Sequence, residues 1–123
     1  MSTHRQYLDL ASERFAWAER AFGEEDVHTA SHLFINAAIN YHSALCQKFL
    51  QKIPRLASHA DMSYFIELQR ALGPGYQKYR DAYGFLTGYK GQADYGVQLS
   101  GNIAKQIQRK ARALKEIAEP LLG

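Results

Sequence analysis

Between Val27 and Gln47 the chain runs for twenty-one residues without a single Lys, Arg, Asp or Glu. Leu33, Phe34, Ala37, Ala38, Tyr41, Ala44 and Leu45 recur in it at helical spacing and cover a wide face. His32, Asn36, Asn40, Ser43 and Gln47 form a narrower stripe of uncharged polar groups beside them. The pattern predicts a helix from about Val27 to Lys52, stopping before Pro54 and roughly 39 Å long. A surface helix of that length carries charges on its wet side. This one is therefore expected at the centre of the molecule, its polar stripe turned towards another chain or a ligand. The plainer alternative is a bundle helix whose asparagines are hydrogen-bonded within the chain. Charge depletion suits the core of a subunit interface, which favours the first reading and a homodimer or hetero-complex.

The remaining segments are also helical. From Thr3 to Phe22, Leu8, Ala11, Phe15, Ala18 and Phe22 repeat at spacings of three and four, with Tyr7, Leu10, Trp17 and Ala21 as a second stripe. Arg14 falls inside this broad apolar arc. It either snorkels out at the bundle edge or waits as an interior cation for a carboxylate or phosphate. Gly23 is expected to end the helix, with Glu24 to Asp26 supplying acids to the next N-terminus. A short helix is expected from about Asp61 to Leu72, with Met62, Phe65, Ile66 and Leu72 on one side. Gly73-Pro74-Gly75 marks a stop and restart. Tyr76, Tyr79, Tyr83 and Leu86 then stripe a helix to about Tyr89, at a core edge with hydroxyls reaching water. Ser100 is a suitable N-cap for a final helix, with Leu99 stapled to Ala104. Ile103, Ile107, Ala111, Leu114, Ala118 and Leu121 form its inward face. Lys105, Arg109 and Arg112 lie nearly opposite, with Lys110 and Lys115 on the flanks. The fold class is thus all-α: an up-and-down four-helix bundle with one additional short helix, in a single domain over residues 1–123.

Composition fits a chain that stands without staples. At 123 residues it can bury roughly two-thirds of its unfolded surface. The one cysteine, Cys46, cannot form an internal bridge. No run is apolar enough to span a bilayer, and the start lacks a signal-peptide core, so a cytoplasmic protein away from membranes is expected. His28 and His32 stand one helical turn apart but lack a third ligand, so no metal site and no cofactor is expected. No glycine-rich phosphate loop opens a helix. Charge is uneven. Residues 1–26 hold three Arg against six acids, and the rest of the chain holds twelve Lys and Arg against six. A basic body with an acidic first helix permits a polyanionic partner.

The stretch Lys90-Gly-Gln-Ala-Asp-Tyr-Gly96 lies between two helical segments. In an all-helical chain of this size it resembles the R-x-x-A-D-Y element of the HEPN family of helical-bundle proteins, with Lys90 in the arginine position followed by Ala93, Asp94 and Tyr95. "INAAINYHSAL" (35–45) is similar to that family's second helix, and "SHAD" (58–61) to the His-containing connection after it. For Asp94 and Tyr95 a scaffolding role is expected, with Gly88, Gly91 and Gly96 fraying the local helix. Many family members are metal-independent ribonucleases with an R-x(4–6)-H motif. No arginine–histidine pair here has that spacing: Arg20 to His28 is too long and Arg55 to His59 too short. The resemblance therefore implies the other group, non-catalytic partners of small nucleotidyltransferases or nucleotide- and RNA-binding modules, including halves of toxin–antitoxin pairs. No catalytic residue is assigned. The alternative is a ribonuclease with a displaced set, Arg55 with His59. Arg14, Lys90, Lys105, Arg109 and Arg112 are the candidates for holding RNA or a nucleotide.

Overall fold

The computed structural model describes residues 3–52, 63–94 and 99–123. It is an all-α helical bundle: α1 (His4–Gly23), α2 (Val27–Leu50), α3 (Ser63–Leu72), α4 (Tyr76–Gly88), α5 (Lys90–Asp94) and α6 (Gly101–Leu122), with a 3-10 turn at Gly73–Gly75. The Thr3 backbone N–H donates to Gln6 Oε1 at 3.2 Å and starts α1. Asp26 caps α2 by accepting from the Thr29 N–H at 3.3 Å. Ser100 caps α6 by accepting from the Ile103 N–H at 3.1 Å. The α1–α2 link is three residues long, so these helices pack antiparallel and share the most extensive contact in the molecule. α6 crosses the other side of α2, and α4 lies on α6.

α2 is the spine. From Ala37 to Cys46 every residue is buried, so the helix is enclosed on all sides over nearly three turns. Phe34 is fully buried and meets the rings of Phe15 and Phe22 edge-on, at 5.3 and 6.4 Å between centroids. Ala30, Ala37, Ala38 and Ala44 let neighbouring backbones approach closely.

Gly23 ends α1 as its last helical residue, as expected, and the left-handed position just beyond it is Glu25, at φ 65°. Three local expectations need correction. Ile66 does not join the inward side of α3. It is 73% exposed, while Phe65, Leu68 and Leu72 face inward. The face of α6 is rotated slightly: Ala104 and Leu122 are buried where Ile103 and Leu121 are only half-buried. Lys90–Asp94 is a short helix rather than a frayed turn, separated from α4 by Tyr89 alone. Met62, Tyr95 and Gly96 lie outside the described residues. Two glycines earn their place at the restart before α4. Gly73 has φ 58°, and a Cβ on Gly75 would meet Ile117 Cγ2 at 3.2 Å.

The neighbours Phe65 and Ile66 give a direct check. Phe65→Ala should cost about 3–5 kcal/mol in chemical denaturation, and Ile66→Ser should stay within about 0.5 kcal/mol of the parent.

Candidate anion-binding cleft and the polar groups of the central helix

The five cations predicted to hold an anion do not form one site. Arg14 sits half-buried on α1 and donates from Nη1 to Asn40 Oδ1 at 2.8 Å. Its partner is a neutral amide, and Arg14 has no ion pair among the described residues. Lys90 is occupied differently. It pairs with Asp94 one turn on, and the other oxygen of Asp94 takes His32 Nδ1 at 3.1 Å. Asp94 therefore ties α5 to α2. Ala93, next to it on α5, is buried.

The polar stripe of α2 is partly consumed by these contacts. Asn40 bonds Arg14, and His32 bonds Asp94. Asn36 Nδ2 donates to the His32 carbonyl at 2.9 Å and stands 3.4 Å from His32 Nε2. Asn40 and Ser43 are buried, whereas His32, Asn36 and Gln47 remain partly exposed. Among the described residues no cluster of His, Cys, Asp and Glu is placed to hold a metal ion. Arg55 and His59, the alternative catalytic pair, lie outside the described residues.

The other three cations share the outer face of α6. Lys105, Arg109 and Arg112 are exposed and line an open cleft of about 550 Å³ together with Phe22, Gln108, Ala113, Glu116 and Lys78. A second depression, about 350 Å³, continues along the helix past Asn102, Gln106 and Lys110 and shares Lys105 and Arg109. Electrostatically the three are unequal. Glu19 of α1 clamps Arg112, accepting from Nη2 at 2.8 Å and Nε at 2.9 Å, and also accepts from Gln108 at 2.8 Å. Lys78, Lys105 and Arg109 have no ion pair among the described residues. Lys105 and Arg109 are one turn apart, about 6 Å along the axis. The tyrosine stripe of α4 gives no sign of Lys78. Its place one residue before Tyr79 turns it about 100° round the helix from that buried ring, onto the exposed side.

Inside the bundle lies a second polar cluster. His42 is buried, stacked on Phe65 at 4.7 Å and tilted on Tyr83 at 4.4 Å between centroids, with Nδ1 2.9 Å from the Tyr79 hydroxyl. Cys46 Sγ is 3.7 Å from His42 Nε2. Tyr79 and Tyr83 therefore do not reach water at a core edge, as their spacing suggested; both are fully enclosed. Among the described residues the Tyr83 hydroxyl has no hydrogen-bond partner, an uncommon cost for a buried polar group. Burial is the main cause that pushes both phenols up from their ordinary value, and it pushes the Cys46 thiol up to about 12.

Comparison with protein-family models, with curated proteins and with solved structures found no match for this chain.

Raised phenol and thiol pKa values mean that the folded state binds these protons more tightly than the unfolded chain does. The stabilisation is complete below the unfolded value of each group, about 9 for the thiol and about 10 for the phenols, and is lost as pH rises through the folded values. Denaturation midpoints should hold from pH 7 to about 9, then fall above about pH 10 as tyrosinate absorbance appears. Cys46 should resist thiol reagents at pH 8 in the native protein and react on unfolding.

Proposed function

We propose that this chain is a HEPN-like, non-catalytic binding module whose α6 ridge holds the phosphate backbone of RNA. One observation carries the reading: Lys78, Lys105 and Arg109, exposed and without an ion pair among the described residues, line a single cleft. Uncompensated cations on one face are the electrostatic footprint of a polyanion site. The ridge is the better site than Arg14 or Lys90, because Lys90 already has its carboxylate and Arg14 already has Asn40. The ridge offers point charges on flexible stems and no base-reading code, so contacts go to phosphates and binding is sequence-tolerant. A nucleotidyltransferase partner, as the HEPN resemblance implies, would dock elsewhere, on the exposed remainder of the α2 stripe at Asn36 and Gln47.

Anisotropy titrations of a labelled single-stranded RNA across a salt series test this. The affinity should fall by about 0.7 log unit per log unit of salt for each phosphate contacted. Replacing Lys78, Lys105 and Arg109 together with Ala should lower that slope by about two units. Arg112→Ala should change it less, since Glu19 already neutralises that side chain. Arg14→Ala should leave binding intact. Loss of binding in Arg14→Ala with the ridge variant unaffected would place the ligand at α1–α2 instead.

A further inference from the structure

Trp17, the single tryptophan of the chain, is 53% exposed on α1, and Leu10 two turns earlier is 36% exposed. Large apolar side chains on a wet helix face are informative when they share a stripe with unpaired charge. Glu13 lies between them, one turn from Trp17, and Asp9 borders Leu10; neither acid has an ion pair among the described residues. Arg20 covers one side of the indole, 5.2 Å from its centroid, and is itself neutralised by Glu24 at 3.4 Å. This face is an aromatic knob ringed by free carboxylates. Its complement is on the same chain: the α6 cleft is lined by Phe22 and Ala113 and by three cations without an ion pair among the described residues, Lys78, Lys105 and Arg109, which outnumber its one acid without such a pair, Glu116.

We propose that these two surfaces dock between copies, the Trp17 face of one protomer seating in the α6 cleft of the next. A protomer cannot fill its own cleft. Glu19 of α1 reaches the rim at Gln108 and Arg112, and Trp17, two positions earlier, points about 200° round the helix from it. The contact is therefore heterologous, joining unlike patches, and repeats into rings or open chains rather than closing as a simple two-fold pair. Its chemistry is that of interface hot spots: an indole desolvated against Arg and Lys, with charge pairs around it. Phe22 and Ala113 supply the apolar lining, and Asp9 and Glu13 meet Lys105, Arg109 and Lys78. The contact differs from the α2 stripe both in place and in symmetry. Where the RNA reading also holds, the same cations serve both partners, and RNA releases the assembly.

Sedimentation velocity at low salt, with tryptophan emission followed over the same concentrations, tests the docking itself. The wild-type chain should gain mass with concentration, its emission should shift to the blue as Trp17 leaves water, and salt should reverse both. Trp17→Ala should weaken association by at least about tenfold. Two double variants, Asp9→Lys with Glu13→Lys and Lys105→Glu with Arg109→Glu, place like charges on both surfaces, so each alone should be monomeric. Mixed together they present opposite charges again, and association should return. All four positions are exposed, and unchanged circular dichroism verifies that each variant is folded. A wild-type chain that stays monomeric, or a mixture that fails to associate, overturns the proposal. So does association abolished by Asn36→Lys instead, which assigns the contact to α2. RNA added to the wild-type assembly should dissolve it, while the Asp9→Lys, Glu13→Lys variant should still bind RNA. RNA that binds neither protein defeats the RNA reading alone and leaves the docking result standing.

Discussion

A helix buried on every side has to be surrounded, and that requirement organises this molecule. Over Ala37–Cys46 α2 presents no side to water, so α1, α3, α4 and α6 are arranged around it. Its alanines set how near those neighbours come, and Phe34 locks the α1 side through two edge-on ring contacts. Enclosure also forces the polar groups of that stretch to find a partner or bear their desolvation. Asn40 takes a guanidinium from α1 and Tyr41 donates to Glu119 of α6 at 2.6 Å, while His32, half-exposed one turn before the stretch, takes a carboxylate from α5. Each of these polar contacts also fixes the register of a neighbouring helix against the spine.

With the interior settled in this way, the free charge of the chain is left outside and is unevenly shared. α1 keeps unpaired acids beside an exposed indole, and α6 keeps unpaired bases around a cleft. The few cross-helix ion pairs do not cancel that asymmetry: Glu19 quenches Arg112 and leaves Lys105 and Arg109. Exposed pairs of this kind add little to stability. Their effect is to decide which cations remain available. Both readings of the α6 face, as an RNA surface and as a seat for a neighbouring α1, follow from that residue of charge.

Helices and caps were legible because their signals are local. The absence of charge marked α2, Ser100 marked the start of α6, and Gly73-Pro74-Gly75 marked the restart before α4. Partnerships were less legible, because they join residues far apart in sequence. Nothing local to Arg14 names Asn40, and nothing local to Asp94 names His32, although each member was visible as an odd residue in its own segment. Ile66 misled because it stands beside Phe65 in an apolar pair, and one helical step of about 100° separates core from solvent. The five cations read as a site divide for the same reason: periodicity sorts residues onto faces of one helix and is silent on which faces meet. Lys78 joins the ridge only through the packing of α4 on α6.

The central claim is that cations left unpaired by the packing, and not those drawn into it, are the working surface. An amide chemical-shift map of the protein titrated with single-stranded RNA tests it most directly. The account predicts that the perturbed resonances cluster at Lys105 to Arg109 of α6 and around Lys78 of α4, while those of Arg14, His32 and Lys90 stay still. Shifts concentrated at Arg14, His32 and Asn36 with a silent α6 would contradict it.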